Sequence, residues 1–163
     1  MLLYQQKQAL VQQVKTCYEK AECFFDRPFP FPTVLFNQRG KAAGTAHLHK
    51  NLLKFNGVLY QENQTAFLTD VVPHEVCHLL AYHLYGQVPP HGPQWQHLMR
   101  SVMEVNPSRT HDFDTRSVQG QLFTYQCQCQ QHQLTIRRHN KAKRGQRYIC
   151  RRCRSALTFI PSH

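Results

Sequence analysis

His74-Glu75-Val76-Cys77-His78 brings two imidazoles and a carboxylate together in one pentapeptide. On a helix the two histidines project from one face, a turn apart. Both can then bind a single Zn²⁺ while Glu75 stands beside an attacking water as general base, the chemistry of a metal-dependent peptidase. Because the chain holds 11 His in 163 residues, its own residue frequencies yield the pentapeptide by chance in roughly one such chain in fifty. Context therefore has to carry the reading, and it is helical. Thr69 and Asp70 are candidate N-caps, Pro73 suits a first turn, and Val72, Val76, Leu79, Leu80 and Leu84 keep helical spacing up to Gly86, which ends the run.

A catalytic zinc requires a third protein ligand and one open position. His91 is the expected third ligand: Pro89-Pro90-His91-Gly92-Pro93 fixes a turn, and Trp95, Leu98, Met99, Val102 and Met103 begin a second apolar-periodic segment behind it. A ligand at that helix start can swing back onto the first helix. His83 and His97 face elsewhere and are expected to be ordinary polar or core-edge histidines. No spacing fixes an oxyanion stabiliser, for which Tyr82, Tyr85 and His111 are candidates.

The C-terminal part holds a second ligand set. Cys127-Gln128-Cys129 and Cys150-Arg151-Arg152-Cys153 are two cysteine knuckles separated enough to meet as hairpin ends around a closed, structural zinc. Cys127, Cys129, Cys150 and Cys153 are the favoured ligands. Because C-x-C is tighter than the usual C-x-x-C, His132 is an alternative to one of the first pair. The remaining cysteines, Cys17, Cys23 and Cys77, lie in apolar-periodic segments and are expected to be buried. An odd total of seven, clustered this way, favours reduced thiols in a cytoplasmic protein over a disulfide framework.

Charge divides the chain at the same place. Residues 1–115 hold ten Lys/Arg against nine Asp/Glu, whereas residues 116–163 hold ten Lys/Arg and no acid, so the excess in the formal net charge of +11 lies in the tail. This predicts two domains, 1–115 and 116–163, with a polyanion such as DNA or RNA as the partner of the second. The expected contacts are Arg137, Arg138, Lys141, Lys143 and Arg144, with no pattern for reading bases. An apolar fraction of 41% suits a small globular protein. No run is long enough for a bilayer span, and the N-terminus turns polar too early for a secretory leader.

The elements that must position these residues follow from periodicity. Leu2 to Cys23 reads as an amphipathic helix, after which Phe29-Pro30-Phe31-Pro32 forces extended chain. Thr33–Phe36, Ala46–His49 and Leu52–Phe55 read as three short antiparallel strands, with residues 55–64 as a loop before the metal helix. His47 and His49 would alternate onto one strand face as surface residues. The whole predicts an α+β fold. In the tail, Leu134–Ile136 and Tyr148–Ile149 read as ribbon strands flanking a basic hairpin of residues 137–147.

His74 to His78 followed by Tyr85-Gly86, then Pro90-His91-Gly92-Pro93-Gln94-Trp95, Thr110-His111 and a cysteine-paired basic tail resembles the SprT family of zinc metalloproteins. The layout is also similar to the protease domain of Spartan, which degrades proteins crosslinked to DNA. The resemblance implies a small zincin-like metalloprotease domain followed by a zinc ribbon, with His74, His78 and His91 as zinc ligands and Glu75 as catalytic acid/base. It adds weight to His111. Gln94 departs from the pattern, since many relatives carry an acid there. Two functions follow: a zinc metallopeptidase acting on nucleic-acid-associated proteins, or a nucleic-acid-binding zinc protein with little turnover.

Overall fold

The computed structural model describes residues 2–161, and the chain forms two compact units, Met1–Val118 and Gln119–His163. The expected α+β class holds for the first unit. Helix α1 (Tyr4–Phe25) buries Leu10, Val14, Cys17, Tyr18 and Ala21, a stripe at helical spacing, and stops at Asp26 in the left-handed region with φ 49°. Cys23 is exposed, contrary to expectation, because it lies off that stripe.

Strands β1 (Thr33–Leu35), β2 (Gly44–His47) and β3 (Leu52–Phe55) form one sheet in the order β1-β3-β2. Two corrections apply. β1 runs parallel to β3, so only the β2–β3 pairing is antiparallel. The second strand ends at His47, and Leu48–Lys50 forms a 3-10 turn that places His49 outside the strand. Asn51 closes that turn at φ 43° and donates from Nδ2 to the Pro30 carbonyl at 2.9 Å, tying the proline segment to the sheet.

Residues 55–64 are not loop. Asn56 accepts from the backbone N–H groups of Val58 and Leu59 at 3.1 and 3.4 Å and so caps helix α2 (Gly57–Glu62), burying Leu59 and Tyr60. A short helix α3 (Gln64–Ala66) then passes through a wide five-residue π turn, Phe67–Val71, into helix α4 (Val72–Tyr85). Thr69 and Asp70 therefore lie inside a turn and cap nothing. Pro73 supplies the reason: it lacks the N–H owed to the Thr69 carbonyl and its ring would clash there, which widening the preceding turn relieves. Gly86 ends α4 at φ 71°, as expected.

α4 is the central element, with Val72, Val76, Cys77, Leu79 and Leu80 fully buried between α1 and the sheet. Helix α5 (Pro93–His97) continues through a second π turn, Leu98–Val102, and buries Trp95, Leu98 and Met99. Among the described residues no helix is long and apolar enough to cross a membrane.

In the second unit, β4 (Leu122–Gln126) pairs antiparallel with β5 (Gln131–Thr135) and with β6 (Thr158–Phe159). The expected basic hairpin is instead helix α6 (Ile136–Lys143) with Arg144 at its end. His139 docks it. Its ring is buried, stacks on Phe123 with centroids 3.8 Å apart, and lies 3.1 Å from the Tyr125 hydroxyl through Nδ1. Arg137, Arg138 and Lys141 then share the opposite face by helical periodicity, and all four cations are exposed. Among the described residues the buried apolar ones of this unit are Tyr125, Cys127, Leu134 and Cys150, too small a core to be self-sufficient.

Candidate metal centres

α4 sets His74 and His78 on one face, and the turn after it returns His91 to the same point. The Nε2 atoms of His78 and His91 lie 3.2 and 3.1 Å from Nε2 of His74. All three donors fall within 4.8 Å of one another. His91 adopts φ 58°, a left-handed conformation, in a turn closed by the Gly92 N–H donating to the Pro89 carbonyl at 3.0 Å. Gly92 has no alternative: a Cβ there would meet the Pro89 carbonyl at 2.9 Å. Gln96 fixes the turn by donating from Nε2 to the His91 carbonyl at 3.0 Å.

The donor set suits a metal ion. The edge of a tetrahedron built on Zn–N bonds is about 3.3 Å, close to the spacing found here. His74 Nδ1 sits 3.1 Å from the Ser108 carbonyl, which can only accept, so the ring proton is on Nδ1 and the Nε2 lone pair is free. Burial, reinforced by its neighbour His91, pushes His74 down to about 4. Burial and the two adjacent rings push His78 down to about 3, and burial also lowers His91. All three are neutral near pH 7, the state that ligates metal.

Two supports were invisible in the sequence. Trp95 packs its indole 4.8, 5.5 and 4.8 Å from the rings of His74, His78 and His91 and donates from Nε1 to the His74 carbonyl at 3.2 Å. Ser108 reaches His74 from 34 residues away. Periodicity marks Trp95 only as apolar, and nothing local marks Ser108.

Glu75 points from α4 toward β2 and is 8% exposed. Burial raises its carboxyl to about 8, against which the Ala46 backbone N–H holds a hydrogen bond to the carboxylate. Gly44 makes room for it, since a Cβ at that position would lie 2.7 Å from Glu75 Cγ. Of the three candidate oxyanion stabilisers, His111 lines one cavity with His74 and Glu75. The Tyr82 hydroxyl lies 3.1 Å from His49 Nδ1, and Tyr85 is exposed. His83 contacts Asn51 and His97 contacts Ser101, so both stay outside the metal group.

In the second unit the sulfurs of Cys127, Cys129, Cys150 and Cys153 converge within 4.8 Å of one another. Cys127 to Cys129 is 3.5 Å and Cys129 to Cys150 is 3.8 Å, matching the edge of about 3.8 Å expected for Zn–S bonds. His132 lies outside this set, with Nε2 3.2 Å from Cys127 Sγ. Ser155 links the knuckles: its hydroxyl lies 3.0 Å from Cys153 Sγ and accepts from the Gln128 N–H at 3.2 Å. The Ser155 hydroxyl and N–H bring Cys153 down to about 5, and the Cys153 N–H lowers Cys150, both favouring thiolates.

An α+β unit presenting H-E-x-x-H and a distant third histidine, followed by a four-cysteine ribbon, defines a two-part metal-binding protein. The chain belongs to the SprT-like family, whose profile matches residues 14–116, and the SprT-like zinc ribbon domain matches residues 121–160. It is 48% identical over 154 residues to the protein named "Protein SprT" of Shewanella oneidensis, covering 94% of this chain and 99% of the relative. It is also 47% identical over 153 residues to "Protein SprT" of Pseudomonas putida strain W619, covering 92% and 93%. No solved structure matches.

Proposed function

We propose that the chain is a zinc-dependent metallopeptidase that acts on nucleic-acid-associated proteins. The observation that carries this reading is the meeting of three neutral imidazole Nε2 atoms beside a buried carboxylate, Glu75, next to the edge strand β2. His74, His78 and His91 hold the ion, and the four cysteines hold a second, structural one. Zinc bound to the three histidines supplies Lewis acidity, lowering the pKa of a water toward neutrality and polarising a carbonyl. Glu75 takes the proton from the attacking water and returns it to the leaving amine, so no acyl-enzyme forms. Gly44 and the Ala46 N–H aim Glu75 for that transfer. The Ser108 carbonyl keeps His74 in its ligating tautomer, and Trp95 packs against all three rings and holds their orientation.

Contact with DNA or RNA is supported by nine Lys/Arg without an acid in the second unit, with Arg137, Arg138 and Lys141 on the face of α6 away from His139, Arg144 at its end and Lys143 elsewhere on the helix. Such contacts hold phosphates without reading bases. That density of charge also favours a second reading, a nucleic-acid-binding zinc protein with little turnover. The deciding experiment is digestion of a DNA-bound protein by zinc-loaded wild type and by Glu75→Gln. Cleavage by the first alone supports the peptidase; no cleavage by either supports the second reading.

A further inference from the structure

A cavity of about 550 Å³ opens beside the three-histidine group, and His74 and Glu75 form part of its wall. Whatever side chain enters it lies next to the bond that Glu75 would help to break. The cavity is built rather than incidental. Ser108 in its wall receives the His74 Nδ1 hydrogen bond, and Phe113 stacks on the buried Phe67 with centroids 6.2 Å apart at 14°. Its lining mixes apolar surface, from Val71, Met99 and Phe113 among others, with the carboxylates of Asp70 and Asp112.

Six of the nine acids in the chain have a partner, and of the three without one among the described residues, Asp26, Asp70 and Asp112, the last two line this cavity. Glu19, Glu104 and Asp114 are in ion pairs, Glu22 and Glu62 accept hydrogen bonds from Phe29 and Ser117, and Glu75 accepts from Ala46. The side chains of Asp70 and Asp112 have no hydrogen bond or ion pair with any described residue, although Lys and Arg outnumber Asp and Glu in the chain by 20 to 9. A purely apolar side chain entering here would leave both carboxylates without a partner, since each is exposed and keeps only its water. A long cationic side chain lays its methylenes on the apolar wall and brings its charge to the aspartates.

We infer that this cavity is the specificity subsite of the peptidase and that it takes a Lys or Arg side chain of the substrate protein, with Asp70 and Asp112 as the discriminating residues. The inference rests on the peptidase reading and deepens it. Because both aspartates are exposed, each pair contributes modestly, and the preference over an isosteric neutral side chain is on the order of fivefold to tenfold.

The test uses the full zinc-loaded chain and a set of internally quenched peptides that differ at one position, carrying Lys, Arg, norleucine or Glu. Wild type is expected to cleave the Lys and Arg peptides fivefold to tenfold faster than the norleucine peptide, by kcat/KM. Asp70→Asn combined with Asp112→Asn should bring that ratio near one, and Asp70→Lys with Asp112→Lys should invert it toward Glu. Zinc content and thermal midpoint check that the variants fold. A wild-type ratio near one, or a ratio unchanged in the double Asn variant, overturns the inference while leaving the peptidase standing. If wild type cleaves no peptide, digestion of a DNA-bound protein still decides the peptidase reading, and binding of the same peptides measured by fluorescence anisotropy decides the cavity. Selective binding of Lys peptides that disappears in the double Asn variant supports it, and equal binding overturns it.

Discussion

At the scale of single residues, the site depends on two kinds of exactness, where Glu75 points and whether the histidines are neutral. Gly44 controls the first. Gly44→Ala places a methyl 2.7 Å from Glu75 Cγ and 3.0 Å from Oε1, so the carboxylate must shift. A displacement of this size in a catalytic group costs about a hundredfold in rate. The expected result is an enzyme with normal zinc content and kcat lowered to that extent, read by elemental analysis beside a peptidase assay. The histidines give a pH dependence. In the metal-free chain His74 titrates at about 4 and His78 at about 3, against an ordinary 6.5. Their folded-state values are depressed, so below pH 6.5 these two histidines bind more protons in the unfolded chain than in the folded one, outweighing the single proton that Glu75, raised to about 8, takes up in the folded chain. Stability present above that pH is lost as the pH falls through about 4. The urea midpoint of metal-free protein should decline steadily over this window, and zinc occupancy should decline with it because protons compete for the same nitrogens. A midpoint flat from pH 7 to pH 4 would contradict the buried, neutral assignment.

Among the elements, α6 carries the clearest functional prediction. Its docking by His139 leaves Arg137, Arg138 and Lys141 on one face with Arg144 at its end, so changing these four and Lys143 to glutamine should preserve helix and ribbon. The slope of log affinity for DNA against log salt should flatten by up to about 4. An unchanged slope, measured by fluorescence titration, would remove α6 as the targeting element. How much of this was legible beforehand depended on whether the determining contacts were local. His74, Glu75 and His78 were legible because helical spacing alone brings them together, and His91 because prolines and glycine leave its turn few conformations. α6 was misread because a run of cations shows no apolar period; the contact that makes it a helix on the ribbon is a histidine on a phenylalanine 16 residues away. α2 was missed because Asn56-Gly57 is also a strong turn signal. Gly44, Trp95 and Ser108 act across the fold, and no sequence spacing announces such contacts.

For the whole molecule, two donor sets of different character imply a division of labour. The three-histidine set leaves room for a fourth, exchangeable ligand, whereas the four sulfurs close a tetrahedron and replace a core that the second unit lacks. The protein should carry two zinc ions. His74→Ala should lose one and remain folded, while Cys150→Ser should lose the other together with the structure of residues 119–163, seen as loss of their dispersed amide signals in NMR. A wild-type stoichiometry of one would eliminate one centre. On the proposed function, joining a phosphate-binding unit to a peptidase would raise the local concentration of proteins on the same nucleic acid without any contact to their sequence. That division has force only if the first unit cuts. The direct measurement is digestion of a protein bound to DNA, comparing zinc-loaded wild type with zinc-loaded Glu75→Gln. Wild type should fragment the bound protein, and the variant, with the same two ions, should be slower by about 10² to 10⁴. A variant active to within a few-fold of wild type, or a fully zinc-loaded wild type that leaves the bound protein intact, would contradict the account.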